Sequence, residues 1–209
     1  MNACLVTCVW GKHYFRYAKH LFQSAAEHFP GDTLRLDARE GWPAATLYRY
    51  HVLLDNEELL EPYDYVYLCD ADMRWEADAG DIFGEIVATV HPGYSMRTDF
   101  PYEERPESAA FVAAGDTYYA GGFVGGEREA FMHLAARIAF AIDEDDRNGI
   151  LARWHDESHL NRVLATVPPT KTLSPSYCYP DDASGYPWIS RYERKLVALD
   201  KTPAERRGR

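Results

Sequence analysis

Tyr65-Val66-Tyr67-Leu68-Cys69-Asp70-Ala71-Asp72 is the stretch on which the fold turns. Its first five residues are an uncharged apolar and aromatic run, which predicts a buried strand. Two carboxylates one residue apart follow at its carboxyl end, an arrangement that suits a hard divalent cation and the phosphate-bearing ligand it would hold. Aspartates are frequent in turns, so the pair gains meaning only from its surroundings. Upstream, Ala3 to Val9 reads as another buried strand, and Tyr14 to Phe29 carries helical spacing until Pro30-Gly31-Asp32 ends it. Thr33 to Leu36 is a short strand, and Gly41-Trp42-Pro43 opens a helical stretch from about Ala45 to Leu60, stopped by Pro62.

Downstream, Asp81 to Val87 reads as a short helix or turn, Gly93 to Met96 as a strand, and Arg97 to Asp116 as a loop. Tyr118 to Val124 is a glycine-punctuated strand. It leads into a helix from about Glu127 to Ile142, and His155 to Ala165 is helical up to Val167-Pro168-Pro169. Strands alternating with helices predict a single α/β domain, residues 1–209, with a Rossmann-like, mostly parallel central sheet. Ligands of such sheets sit beyond the carboxyl ends of the strands. Val9-Trp10-Gly11 and Asp70-Ala71-Asp72 are therefore expected on one rim, with an aromatic placed to stack a nucleobase.

Composition narrows the function classes. A chain of 209 residues with 46% hydrophobic content builds one real core. No apolar stretch approaches the roughly 20 residues of a membrane span, and no basic segment with a signal core opens the chain. Cys4, Cys8, Cys69 and Cys178 lack CxxC spacing, which predicts reduced thiols and a cytoplasmic protein. A net charge of −11 argues against nucleic acid as a partner. Arg191, Arg194, Lys195, Lys201, Arg206, Arg207 and Arg209 crowd the C-terminus, either as a solvated end or as a tail that closes over an anionic ligand.

Trp154-His155-Asp156-Glu157-Ser158-His159-Leu160-Asn161 is the densest polar run. On a helix His155 and His159 would share a face, as zinc-binding pairs do. Zinc needs a third ligand, and Asp156 stands where metalloproteases carry Glu, so a hydrogen-bonded core histidine is the preferred reading. A further reading makes Trp154 a platform for a sugar face and points Glu157 into the cleft. The glycines of Tyr118-Tyr119-Ala120-Gly121-Gly122-Phe123-Val124-Gly125-Gly126 either permit tight packing or let a ligand approach the backbone; spacing alone leaves both open.

Taken with His91-Pro92-Gly93-Tyr94, Tyr102-Glu103-Glu104-Arg105-Pro106, Asn148-Gly149-Ile150, Pro169-Thr170-Lys171 and Leu173-Ser174-Pro175, these stretches resemble the family 6 retaining glycosyltransferases, which include the blood-group A and B transferases. Order and approximate spacing are kept over most of the chain, which is similar to the short bacterial members. The resemblance implies a GT-A fold and α1,3 transfer of GalNAc or galactose from a UDP-sugar donor, with retention, to a galactoside-terminated oligosaccharide or glycolipid. It implies that Asp70 and Asp72 hold Mn²⁺, with Mg²⁺ as the substitute, and that Glu157 is catalytic. Val9, Trp10, Tyr14, Arg49, Ala71, Ala120, Gly121, Gly122, His155 and Asp156 would line the donor. Lys201 and Arg207 would belong to a tail, residues 196–209, that folds over the diphosphate. His91, Trp154, Glu157 and Asp181 would meet the acceptor, although Asp181 lies next to Pro180, where vertebrate enzymes carry the aspartate. Gly122 matches the glycine of the A-type enzyme, which favours UDP-GalNAc; UDP-Gal is the alternative. A non-catalytic UDP-sugar or galactoside-binding module and a zinc hydrolase are the readings from other classes.

Overall fold

Strand β1 (Ala3–Val9) is buried along almost its whole length, and α1 (Gly11–His28) follows directly, burying Ala18, Leu21 and Ala25. The computed structural model describes residues 2–39 and 41–201. The next elements are β2 (Asp32–Asp37), α2 (Ala44–Leu47), α3 (Arg49–Asp55) and β3 (Tyr65–Cys69). They are followed by β4 (Met73–Trp75), β5 (Ile86–Val90), β6 (Tyr119–Glu127) and α4 (Arg128–Arg147). The chain goes on through α5 (Asp156–Thr166), β7 (Lys171–Leu173), β8 (Tyr179–Pro180) and β9 (Leu196–Ala198).

The main sheet has the order β2-β1-β3-β6-β5-β7. Pairs β1–β2, β1–β3 and β5–β7 are parallel, and only β6 runs against its neighbours, so the sheet is mostly parallel. The run that opened the sequence analysis is buried on both faces because alternate residues enter different cores. Val66 and Leu68 join the cluster that includes Leu53, Phe131, Ile138 and Leu160 from α3, α4 and α5. Tyr67 and Cys69 join Leu21, Trp75, Phe123 and Tyr177 on the other side. A second sheet, β4-β9-β8, starts three residues after β3 ends. Asp70-Ala71-Asp72 is thus the link between the two sheets. Among the described residues no helix is long and apolar enough to cross a membrane.

Three expectations change. The stretch Ala45 to Leu60 is not one helix: it breaks at Tyr48 (φ −99°, ψ 16°) and again at Asn56, and the first break sets Arg49 at the head of α3. Asp81 to Val87 is mostly irregular and feeds β5 rather than forming a helix. Gly93 to Met96 is no strand, because Pro92 starts a 3-10 turn over Pro92–Tyr94 and the His91 Nδ1 accepts from the Gly93 N–H (3.0 Å).

Two buried carboxylates pin the loop between β5 and β6. Asp145 accepts from the Ser108 hydroxyl and the Ala109 N–H, both at 2.6 Å, and lies 3.5 Å from His159 Nε2. Glu103 accepts from the Arg105 side chain and from the Arg153 N–H (2.8 Å). Burial pushes His159 down to about 4, against the pull of Asp145, so the folded protein resists a proton that the unfolded chain accepts near pH 6.5. Its contribution to stability is therefore complete above pH 6.5 and is lost as pH falls toward 4. The Arg105 guanidinium holds Glu103 at about 2 against an ordinary 4.5, which adds a lower window of acid lability. We expect Tm to fall steadily between about pH 7 and about pH 4, and His159→Gln to flatten the upper part of that fall. A melt insensitive to pH over this range in the unaltered protein would contradict the buried neutral histidine.

Candidate active site

The site forms where β6 leaves register. Ala88 of β5 pairs with Val124, but the next residue, Thr89, pairs with Ala120, so Gly121, Gly122 and Phe123 stand out of that ladder. The bulge frees backbone groups that side chains then use. The Gly121 N–H donates to Glu157 Oε2 (2.8 Å), its carbonyl accepts from Arg49 Nη2 (2.7 Å), and the Gly122 carbonyl accepts from the Asp70 N–H (3.0 Å). A Cβ on Gly121 would stand 2.5 Å from Arg49 Nη2, so glycine is required by close approach. Lower in the same strand, a Cβ on Gly125 would stand 2.3 Å from the Val66 carbonyl oxygen. Both ends of the glycine run are thus closely packed, against the β3 backbone at Gly125 and against Arg49 at Gly121.

Arg49 is the hub. Its guanidinium is 5% exposed and lies 2.6 Å from Asp70 through Nη1 and 2.6 Å from Asp156 through Nη2. Burial opposes its charge, but Asp156 and Asp70 outweigh that and hold it above the ordinary arginine range. Asp156 is itself buried, which raises its carboxyl to about 7 against the pull of Arg49. Asp72 pairs with Lys201 (2.5 Å), whose ammonium also sits 5.2 Å from the centre of the Tyr14 ring. Burial raises the Asp72 carboxyl, Asp70 adds to that, and Lys201 works the other way. The Leu199 N–H donates to the Asp72 carbonyl (2.9 Å), so the segment after β9 is laid alongside the acidic link.

The polar run of α5 divides its work. Asn161 accepts from the Tyr119 N–H and donates to the Tyr119 carbonyl, both at 2.8 Å, stitching the helix to β6 one turn beyond Glu157. Ser158 Oγ accepts from the Trp154 N–H (2.9 Å), and His159 faces α4. His155 precedes the helix with φ +52°, a conformation rare for a residue with a side chain. It packs edge-on against Trp42 (5.0 Å). His155 and His159 therefore do not form a helical pair on one face, contrary to the zinc-like reading. Glu157 accepts from Gly121 through one oxygen and from the Tyr118 hydroxyl through the other (2.9 Å).

A cleft of about 310 Å³ opens over this cluster. Trp10, Tyr14, Asp70, Ala71, Asp72, Arg49, Trp154, His155 and Lys201, all of them site candidates from the sequence, line it. Trp42, Ala45, Thr46 and Cys8 also line it and were not anticipated. Gly41-Trp42-Pro43 carried a signal only as a helix opener, although an aromatic 49% exposed beside the cleft is a site feature. Val9 lies beneath it with Ala18 and Ala71, and Ala120 and Gly122 are buried in β6. His91 packs against Tyr94 and Tyr118; burial lowers its pKa while the Glu157 charge pulls the other way. Its Nδ1 accepts from Gly93, which puts the ring proton of the neutral form on Nε2. Asp181 sits apart, bound to Arg194 (3.0 Å). Arg207 lies outside the described residues.

Residues 32–202 match the model of Glycosyltransferase family 6. The chain belongs to this family. The match takes in the acidic link, Arg49, the β6 bulge, Glu157 and Lys201, while Val9, Trp10 and Tyr14 lie ahead of it. A rat (Rattus norvegicus) relative, Histo-blood group ABO system transferase 1, is 38% identical over 167 residues, covering 77% of this chain and 48% of its own. Globoside alpha-1,3-N-acetylgalactosaminyltransferase 1 of dog (Canis lupus familiaris) is 42% identical over 123 residues, 56% of this chain and 35% of its own. Alpha-1,3-galactosyltransferase 2 of Homo sapiens is 34% identical over 123 residues, 56% of this chain and 36% of its own. The chain thus spans about half or less of the length of these curated relatives. The α/β architecture with its mostly parallel six-stranded sheet is consistent with the GT-A fold of a family 6 glycosyltransferase.

The donor set of the acidic link suits a divalent cation. Among the described residues Asp70 is paired with Arg49 and Asp72 with Lys201, and their carboxylates are the hard oxygen donors such an ion takes. Among the described residues no cluster supplies three metal-ligating side chains, so Asp70 and Asp72 would share an ion with ligand oxygens or water.

Proposed function

We propose that the chain is a metal-dependent retaining α1,3-N-acetylgalactosaminyltransferase that moves GalNAc from UDP-GalNAc to a β-galactoside, with a fucosylated H-type galactose as the leading acceptor. The observation that carries this reading is the fixed Glu157 carboxylate, one glycine away from the Arg49–Asp70 pair. With a donor diphosphate over the acidic link, this carboxylate would lie on the sugar side of it, which supports a role at the anomeric carbon. The names of the relatives, two N-acetylgalactosaminyl or blood-group transferases and a galactosyltransferase, support sugar transfer. The free cysteines suit a reducing, cytoplasmic compartment.

Each group then has a task. Trp10 and Tyr14 stack and flank the uridine, while Arg49 and Lys201 counter the charge of the diphosphate. Mn²⁺ or Mg²⁺ held by Asp70 and Asp72 would neutralise negative charge developing on the departing group. Glu157 faces the positive charge that grows on the sugar ring as the bond to UDP breaks. Trp154, 45% exposed, offers a face for the acceptor galactose, and the His91 Nε2–H offers a donor to one of its hydroxyls.

Donor choice rests on the β6 bulge. A Cβ on Gly122 would stand 2.9 Å from Cys178 Sγ and 3.6 Å from Asp70 Oδ2, so an added methyl would push against Cys178 and disturb the strand beside the acidic link. One methyl shifts discrimination by about 1–3 kcal/mol. With both donors competing in one reaction over fucosylated and unfucosylated galactosides, we expect UDP-GalNAc to be preferred about tenfold or more in kcat/KM. Adding EDTA should abolish transfer, and Mn²⁺ should restore it. Preference for UDP-Gal would favour the galactosyltransferase reading, and transfer unaffected by EDTA would overturn the metal assignment.

A further inference from the structure

Tyr118 belongs to neither the cleft lining nor the acidic link, yet its hydroxyl is the second of the two donors that hold Glu157. The side chain is 1% exposed and donates to Glu157 Oε1 at 2.9 Å, while the Gly121 N–H takes Oε2 at 2.8 Å. We propose that Tyr118 is a positioning residue for Glu157, fixing the rotamer of the carboxylate that faces the reacting sugar; this rests on the function proposed above.

The geometry supports a purpose-built clamp. A carboxylate held at one oxygen still swings about its last torsion, whereas two donors from different directions fix its plane. Tyr118 itself cannot swing, because its ring is packed against His91 (5.7 Å), Tyr94 (5.2 Å) and Tyr102 (5.5 Å). Tyr102 is anchored by its hydroxyl to the Thr117 carbonyl (2.8 Å), and the His91 N–H donates to the Tyr118 carbonyl (2.9 Å). Burial, followed by the charge of Glu157, holds the Tyr118 hydroxyl protonated far above the ordinary tyrosine range, so it acts as a donor throughout the working pH range. The aromatic wall on which His91 sits therefore also orients the carboxylate, and acceptor side and donor side meet at this one hydroxyl.

Tyr118→Phe deletes the hydroxyl and keeps the packed ring. A hydrogen bond to a charged group carries an effect of about 10- to 100-fold, so kcat should fall by that factor. KM for the donor and the Kd for UDP should stay within about twofold, since Tyr118 touches none of the groups assigned to the nucleotide, and the retained phenyl ring keeps its packing against His91 on the acceptor side. A readout independent of turnover is the side-chain 13C signal of Glu157 in 13C-glutamate-labelled protein, whose chemical shift and relaxation report a single fixed rotamer. Losing the Tyr118 hydroxyl should displace that signal and broaden it through rotamer exchange. An unmoved signal with unchanged kcat would overturn the proposal. So would a loss shared equally by Tm, KM and kcat, which would make Tyr118 a packing residue only. If the unaltered protein transfers no sugar, the function proposed above fails, while the NMR shift still decides whether Tyr118 holds Glu157.

Discussion

Glu157→Gln is expected to lower kcat by about 100- to 1000-fold while UDP affinity remains unchanged. The loss has the scale of removing one preorganised electrostatic group aimed at developing charge. Glutamine is nearly the same size, can still accept from either Tyr118 or Gly121, and leaves Arg49, Asp70, Asp72 and Lys201 untouched. Titration calorimetry with UDP and initial rates of transfer separate the two quantities. Turnover within a few-fold of the unaltered protein would remove Glu157 from the mechanism, whatever UDP does.

Gly121→Ala is expected to damage fold and function together. The added Cβ stands 2.5 Å from Arg49 Nη2, and Arg49 is packed too tightly to move aside freely. Any displacement loosens its contacts with Asp70, Asp156 and the Gly121 carbonyl at once, leaving buried charges poorly paired. Disturbing such a pair costs about 3–5 kcal/mol, which for a chain of this size is a fall of about 6–20 °C in Tm. Residual transfer should drop by at least about 100-fold, because Gly121 also holds Glu157. Gly122→Ala is the informative contrast. Its Cβ would need Cys178 Sγ, 2.9 Å away, to shift, but it breaks no buried ion pair, so we expect a smaller loss of Tm than for Gly121→Ala and a move of donor preference toward UDP-Gal. Equal stability of Gly121→Ala and the unaltered protein would show that the Arg49 hub is not the constraint inferred here.

Much of this architecture is legible in the sequence because its signals are local. The β1 and β3 runs carry no charged residue and are mostly apolar, since both faces are covered, and the acidic link follows at a strand end. The α5 run can be read residue by residue: Asp156 and Glu157 serve the site, and Ser158, His159 and Asn161 hold the helix in place. What escaped the sequence depends on contacts between distant segments. Tyr118 reaches Glu157 across 39 positions, and nothing in Tyr118-Tyr119 tells a packing ring from a hydrogen-bond donor. The break at Tyr48 is hidden because Ala45 to Leu60 is helix-compatible throughout, yet Arg49 must enter the core to meet Asp70 and Asp156. Pro92 was a local signal for a turn, and it outweighs the apolar residues around it.

The central claim is that a carboxylate fixed beside a cation-binding acidic link carries out sugar transfer with retained configuration. The most direct measurement is the anomeric configuration of the product formed from UDP-GalNAc and an H-type galactoside in the presence of Mn²⁺, read by proton NMR. An α-linked GalNAc at the galactose 3-position is the expected product. A β-linked product, or UDP binding with no transfer to any galactoside, would contradict it.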